Sequence, residues 1–233
     1  MADTNTELEE TLEMLEKLAL NPQQVETKLG LAKITESLET KKRDEPSLSD
    51  YILARAYFLG SRDAEAYVLF GKSIKNNIKV PESYHWQGMI HRYANEHTKA
   101  LECLQKATEL DPNNSTYLLQ AGLVLQHGLK DYDKATESFK KAIAVDPKEK
   151  SAFYGIASCC ASKKDTEGAI ENWKKAAEID PKYLNAWYNL GTTYQTNDKP
   201  NEAVEAFLKV VEINPSDWNA VAKIIQLYQK LGK

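Results

Sequence analysis

The sequence predicts an all-α array of antiparallel helix pairs, and three observations predict it. First, helix formers dominate a chain of 233 residues that has only 10 Gly and 8 Pro. Second, prolines recur at Pro112, Pro147, Pro181 and Pro215, each directly after Asp or Asn, at spacings of 35, 34 and 34 residues. A proline disfavours helical geometry in the residue before it and suits the opening turn of the next helix, so each one separates two helices. Third, residue size recurs at fixed places. With units set at 47–80, 81–114, 115–149, 150–183 and 184–217, the eighth residue is Ala54, Gly88, Gly122, Ala157 or Gly191. The twentieth is Ala66, Ala100, Ala135, Ala169 or Ala203, counting one extra residue in the turn of the third unit near "HGLKDY". The twenty-fourth is Phe70, Leu104, Phe139, Trp173 or Phe207. Small residues where helices approach and large ones where a gap must be filled are what a close-packed helix pair requires.

The elements follow in order. Residues 1–46 are expected to form an atypical helical pair capping the array. Leu8, Leu12, Leu15 and Leu18 recur at helical spacing under an acidic face of Glu7, Glu9, Glu10, Glu13 and Glu16. Pro22 interrupts, and a second helical run continues to about Arg43. A terminal repeat needs a polar outer side, which this segment supplies. Residues 47–217 hold the five units. Residues 218–233 read as a C-terminal capping helix or the start of a truncated repeat, with Val221, Ile224, Ile225 and Tyr228 as its buried face.

The stretch "AWYNLGTTY", Ala186 to Tyr194, carries two faces. A helix advances about 100° per residue, so Trp187, Leu190, Gly191 and Tyr194 share one arc. Asn185, Tyr188, Asn189 and Thr192 fall on another. The first arc is apolar with a notch at Gly191 and is built to be buried; the second is polar and available.

Composition excludes several function classes. Lys and Arg number 30 against 34 Asp and Glu, a formal charge of −4, which argues against a nucleic-acid binder. Three cysteines make no disulfide framework and read as free thiols of a reducing compartment. No apolar run reaches the roughly 18 residues of a membrane span, and "MADTNTELEE" lacks the basic start and apolar core of a secretory signal. A cytoplasmic or nuclear protein is expected.

No catalytic constellation is present. His85, His91, His97 and His127 lack the companions of a metal motif, so no metal and no cofactor is expected. His91 and Cys160 occupy the eleventh place of their units, a packing place. Glycine-rich phosphate loops are absent, and the chain is not expected to be an enzyme or to take a small-molecule substrate.

Trp187-x-x-Leu190-Gly191-x-x-Tyr194, followed by Ala203-x-x-x-Phe207 and Pro215, resembles the tetratricopeptide repeat. The likeness covers 47–217. Two units depart from the pattern: the first has Ile78 in place of the proline, and the third has Leu125 in place of Tyr194. The resemblance implies a right-handed superhelical solenoid in which the first helix of each pair lines an inner groove. It also implies that places two, five, six, nine, twelve and thirteen face that groove. Unit one then contributes Tyr51, Ile52, Arg55 and Phe58, and unit two Glu82, His85, Trp86, Met89, Arg92 and Tyr93. Unit three contributes Gln120, Gln126 and His127, and unit four Tyr154, Gly155, Ser158, Ala161 and Ser162. Unit five contributes Tyr188, Asn189 and Thr192, and the last helix Lys223.

Candidate partner-binding residues are therefore Tyr51, Arg55, His85, Trp86, Met89, Arg92, Tyr93, Gln120, Tyr154, Tyr188 and Asn189. Aromatics and arginine in a concavity are the composition of binding hot spots. Asparagine offers a donor and an acceptor to a peptide backbone. Some relatives clamp the C-terminal carboxylate of chaperones with Lys and Asn. The best register here reads Tyr154, Ser158, Asn189, Asn219 and Lys223, of which Asn189 alone matches outright, so that activity is not expected. The resemblance implies a non-catalytic scaffold or adaptor holding a peptide or partner helix, in a multiprotein complex. The alternative is the repeat domain of a larger enzyme, such as a glycosyltransferase or phosphatase.

Overall fold

Five proline- or turn-bounded units become five helix pairs. The computed structural model describes residues 2–19, 25–40 and 48–232. The chain divides into two compact halves, Met1–Pro112 and Asn113–Lys233. The first half contains α1 (Ala2–Ala19), α2 (Val25–Thr40), α3 (Leu48–Leu59), α4 (Asp63–Lys75), α5 (Val80–Tyr93) and α6 (His97–Leu110). The second contains α7 (Ser115–Leu123), which runs on as a π-helical segment, Val124–Leu129. Then come α8 (Tyr132–Val145), α9 (Lys150–Ser162), α10 (Thr166–Ile179), α11 (Leu184–Thr196), α12 (Pro200–Ile213) and α13 (Trp218–Lys230). No strand occurs among the described residues. Pro22, the end of the second helical run near Arg43 and the boundary at 46–47 lie outside the described residues.

The turn inside each pair has one design. The residue at the fifteenth place, the sixteenth in the longer third unit, adopts the left-handed conformation, at Ser61, Asn95, Lys130, Lys164 and Asp198. This lets an amide beyond the helix end return to a carbonyl inside it, satisfying a group the helix leaves open. The acceptors are the eleventh-place carbonyls of Tyr57, His91, Cys160 and Tyr194, each bonded by the amide five residues on. In the third unit Leu125 O instead accepts from Asp131, six residues on. The extra residue therefore lies within the helix, where it widens the last turn into π geometry, and not in the turn near "HGLKDY" where counting placed it. Only the count is fixed by sequence; the helix absorbs the insertion because the closing bond survives at 2.9 Å. Aspartate starts the next helix, with Asp131 Oδ1 accepting from the Lys134 amide and Asp165 Oδ1 from that of Gly168.

Between the first two pairs, where Ile78 stands in place of proline, Asn77 and Lys79 both take positive φ and Pro81 opens α5. Proline is welcome there because the first helical amides have no intrahelical acceptor.

Packing follows the size pattern. All five twentieth-place alanines are fully buried, as are Phe70, Leu104, Phe139 and Phe207. Phe139 is the tightest: a β-carbon on Gly122 of α7 or on Gly155 of α9 would lie 2.5 Å from its ring. Gly155, expected on the groove face, is therefore a notch for Phe139. Likewise, a β-carbon on Gly191 would lie 3.0 Å from the Phe207 ring. Replacing Ala169 or Ala203 with leucine should overpack these seams and cost about 1–3 kcal/mol in chemical denaturation; unchanged stability in both would break the repeat register.

At the N-terminal end α1 and α2 pack on α3, and Leu15, Leu31, Ile34 and Leu38 share one core with Tyr51, Ile52 and Phe70. At the other end α13 packs on α12 through Ala220, Ile224 and Leu227. This corrects the expected buried face: Ile225 and Tyr228 are exposed. Ile225 holds the eighth place, which in α11 is Gly191 and meets a residue of the following helix.

Candidate functional site

The first helices of the pairs carry the predicted residues, and the two halves present different chemistry. In the first half α3 and α5 lie side by side. Trp86 on α5 is the hub of the seam. Its ring receives the Arg55 guanidinium at 4.4 Å, and it packs on Phe58 with centroids 5.1 Å apart and on His85 at 4.9 Å. Phe58 reaches Tyr93 at 5.9 Å, so rings from both helices form a continuous surface. Arg55 is buried; its Nη1 donates to Tyr51 Oη at 3.5 Å, and its Nε meets no acceptor. The guanidinium thus lies against the Trp86 ring face, a cation–π contact in a buried setting. Burial, and secondarily the Arg55 charge, pushes the His85 pKa down to about 4, so His85 is neutral at pH 7.

Of the residues named from sequence in this half, Tyr51, Arg55, His85 and Met89 are buried and build the seam. Trp86 and Arg92 are partly exposed, and Tyr93 is 62% exposed. Sequence placed all seven on one face. Whether each of them fills the space between neighbouring helices or stays open depends on what the adjacent helix brings, and spacing along one helix leaves both readings open.

The second half contains a concavity of about 480 Å³. Gln126 and His127 line it from the π-helical segment, Ser158, Ala161 and Ser162 from α9, and Asn189, Thr192 and Thr193 from α11. Lys130, Tyr132 and Trp173 complete it, and among the described residues no carboxylate lines it. Most of these residues occupy the places expected to face a groove. Asn189 Nδ2 donates to Tyr154 Oη at 2.9 Å, which ties α11 to α9. Tyr154 stands edge-on to Trp173 at 4.7 Å, and Tyr188 to Phe207 at 5.5 Å. Tyr154, Tyr188 and Asn189 are thus anchored as well as partly exposed, and Gln120 is partly exposed on α7. Lys130, Tyr132, Trp173 and Thr193 escaped the sequence reading. The one signal pointing to Lys130 was the extra residue, which brings this turn to the concavity.

The packing half of "AWYNLGTTY" is well held. Leu190, Gly191 and Tyr194 are buried, and Trp187 Nε1 donates to Pro181 O at 3.0 Å. Cys103, Cys159 and Cys160 are free thiols, and burial raises the pKa of each, that of Cys159 to about 11. They are therefore poor nucleophiles near neutral pH. No cluster of His, Cys, Asp and Glu able to hold a metal occurs among the described residues. No helix among them is long and apolar enough to cross a membrane.

Stacked helix pairs with small residues at the crossings and a lined first-helix face define a helical repeat protein. Models of the tetratricopeptide repeat match residues 81–114, 115–149 and 184–217, and a model described as a TPR repeat matches 160–198, together more than half of the chain. The chain belongs to the tetratricopeptide repeat family.

Among curated proteins it is similar to Hsp70-Hsp90 organizing protein 1 of Glycine max, 26% identical over 164 residues, 68% of this chain and 28% of that protein. It is also similar to BBSome complex member BBS4 of Mus musculus, 32% identical over 95 residues, 41% of this chain and 18% of that protein. The chain thus matches under a third of the length of these relatives. Among solved structures it resembles MamA, with a TM-score of 0.57 and 27% identity over 62% of this chain and 84% of that one. The repeats and these relatives support a protein-interaction scaffold.

Proposed function

We propose that the chain is a non-catalytic scaffold holding a peptide segment or partner helix on the face made by the first helices of its pairs. The concavity over the π-helical segment, α9 and α11 carries this reading, because residues of three successive units converge on it. The partly exposed ring surface of Phe58, Trp86 and Tyr93 supports it in the first half. The partner is a protein, met within a multiprotein complex in the cytoplasm or nucleus. Relatives described as an organizing protein and as a complex member favour that setting. Trp86 and Arg92 supply side-chain contacts, and Asn189 and Gln120 pair with backbone.

A partner isolated by pull-down from the native source and identified by mass spectrometry gives the test. Against folded Trp86→Ala protein its affinity should fall by about 2 kcal/mol or more, as for a hot spot. Asn189→Ala should cost about 0.5–1.5 kcal/mol, the net value of a hydrogen bond. Wild-type binding by Trp86→Ala, Arg92→Ala and Asn189→Ala, with loss in Val68→Glu or Leu208→Glu, would move the site to the second helices, where Val68 and Leu208 are exposed.

A further inference from the structure

We infer that the concavity of the second half is an amide-recognition subsite, one that takes a neutral carboxamide in preference to a carboxylate. The inference rests on the reading of this face as the binding face and names the chemistry it accepts.

Three observations converge on it. The concavity is walled on one side by the π-helical segment Val124–Leu129, present because the third unit carries one residue more than its neighbours. π turns within α-helices recur at functional sites, and this one brings Gln126 and His127 to the wall. Secondly, Trp173 of α10 lines the same concavity, is 2% exposed, and its indole Nε1–H meets no hydrogen-bond acceptor. Buried donors are almost always paired, so an orphan donor in the wall of a polar cavity points to an acceptor brought by a ligand. Thirdly, three hydroxyls among the lining residues have their protons engaged. Thr192 Oγ1 donates to Tyr188 O at 3.0 Å, Thr193 Oγ1 to Asn189 O at 2.7 Å, and Ser162 Oγ to Ser158 O at 2.9 Å. Each of these oxygens therefore has only lone pairs left to offer, as an acceptor in the lining.

The lining thus offers donors, the Trp173 indole and the N–H of the Gln126 amide, together with the hydroxyl acceptors. An amide group complements both, its carbonyl toward Trp173 and Gln126 and its N–H toward the threonines. A carboxylate has acceptors alone and would set its charge against the hydroxyl lone pairs. Lys130 and His127 are exposed and solvated, so they add little for an anion. The amide has two sources, an Asn or Gln side chain or the backbone of an extended segment.

The probes are three blocked amino acids, the N-acetyl N-methylamides of glutamine, alanine and glutamate. Each is titrated into the full chain while the indole N–H resonances are followed by two-dimensional NMR, with the Trp173 peak assigned by its loss in Trp173→Phe. The Trp173 peak should move saturably while those of Trp187 and Trp218 stay still. Gln126→Ala should weaken the effect at least threefold. A response to the glutamine compound alone assigns a side-chain amide, and equal responses to all three assign the backbone. Saturation by the glutamate compound below the others, or no saturable movement with any, overturns the inference. In that case a partner still cross-linked from the first-helix face would leave that face standing as the binding face, whereas cross-links confined to the second helices would remove the first-helix reading itself.

Discussion

Replacing Phe139 with alanine should destabilise the second half by about 3–5 kcal/mol, the range for deleting a buried aromatic side chain. Among the described residues no other side chain is gripped by two glycines of different helices. Gly122 and Gly155 each leave room for the ring where a β-carbon would lie 2.5 Å from it. Truncation therefore opens a void between α7, α8 and α9 that backbone cannot collapse into without moving the π-helical segment. Gly155→Ala probes the opposite error and should overpack, at about 1–3 kcal/mol. Guanidinium unfolding followed by circular dichroism measures both. A loss under 1 kcal/mol for Phe139→Ala would mean that the ring does not lock the two pairs together.

The first half should lose stability on mild acidification, and His85 sets the window. Its folded pKa is about 4 because burial, and then Arg55, disfavours the charged ring. The unfolded value is about 6.5. Below pH 6.5 the unfolded chain takes a proton that the folded chain refuses, so stability falls as pH falls and the loss is complete near pH 4. The loss from pH 7 to pH 5 is about 2 kcal/mol, and about 3 kcal/mol over the whole window. Glu65 is held below its usual pKa by a backbone hydrogen bond and then by Arg62, and Glu96, Asp131, Glu137, Asp180 and Asp198 are held below theirs by lysines, so they act only at lower pH. Unfolding at pH 7 and pH 5 of the native chain and of His85→Gln checks this. The variant should show little of the slope; an unchanged slope would place the acid sensitivity elsewhere.

The hairpins were legible because their signals are local and repeated. Pro112, Pro147, Pro181 and Pro215 stop helices by steric rule, and an alanine recurs at each crossing because two backbones approach there. The π turn was not legible, since an extra residue near "HGLKDY" can widen a helix or lengthen a loop with the same count. The site was legible as a face and not as surfaces. Asn189, Arg55 and Trp86 lie on first helices as expected, but the Tyr154 hydroxyl bonded by Asn189 and the Trp86 ring over Arg55 come from neighbouring helices. Ile225 and Tyr228 misled for the mirror reason: their spacing is that of a buried face, and burial needs a helix opposite.

The central claim, that the first helices make the binding face, is tested most directly by photo-cross-linking. A photoreactive amino acid replaces Tyr93, Thr192, Val68 or Leu208 in turn, and each protein is irradiated in extract of the native source. The account predicts covalent adducts to one common partner from the Tyr93 and Thr192 positions and none from Val68 and Leu208. Adducts from Val68 and Leu208 alone would contradict it.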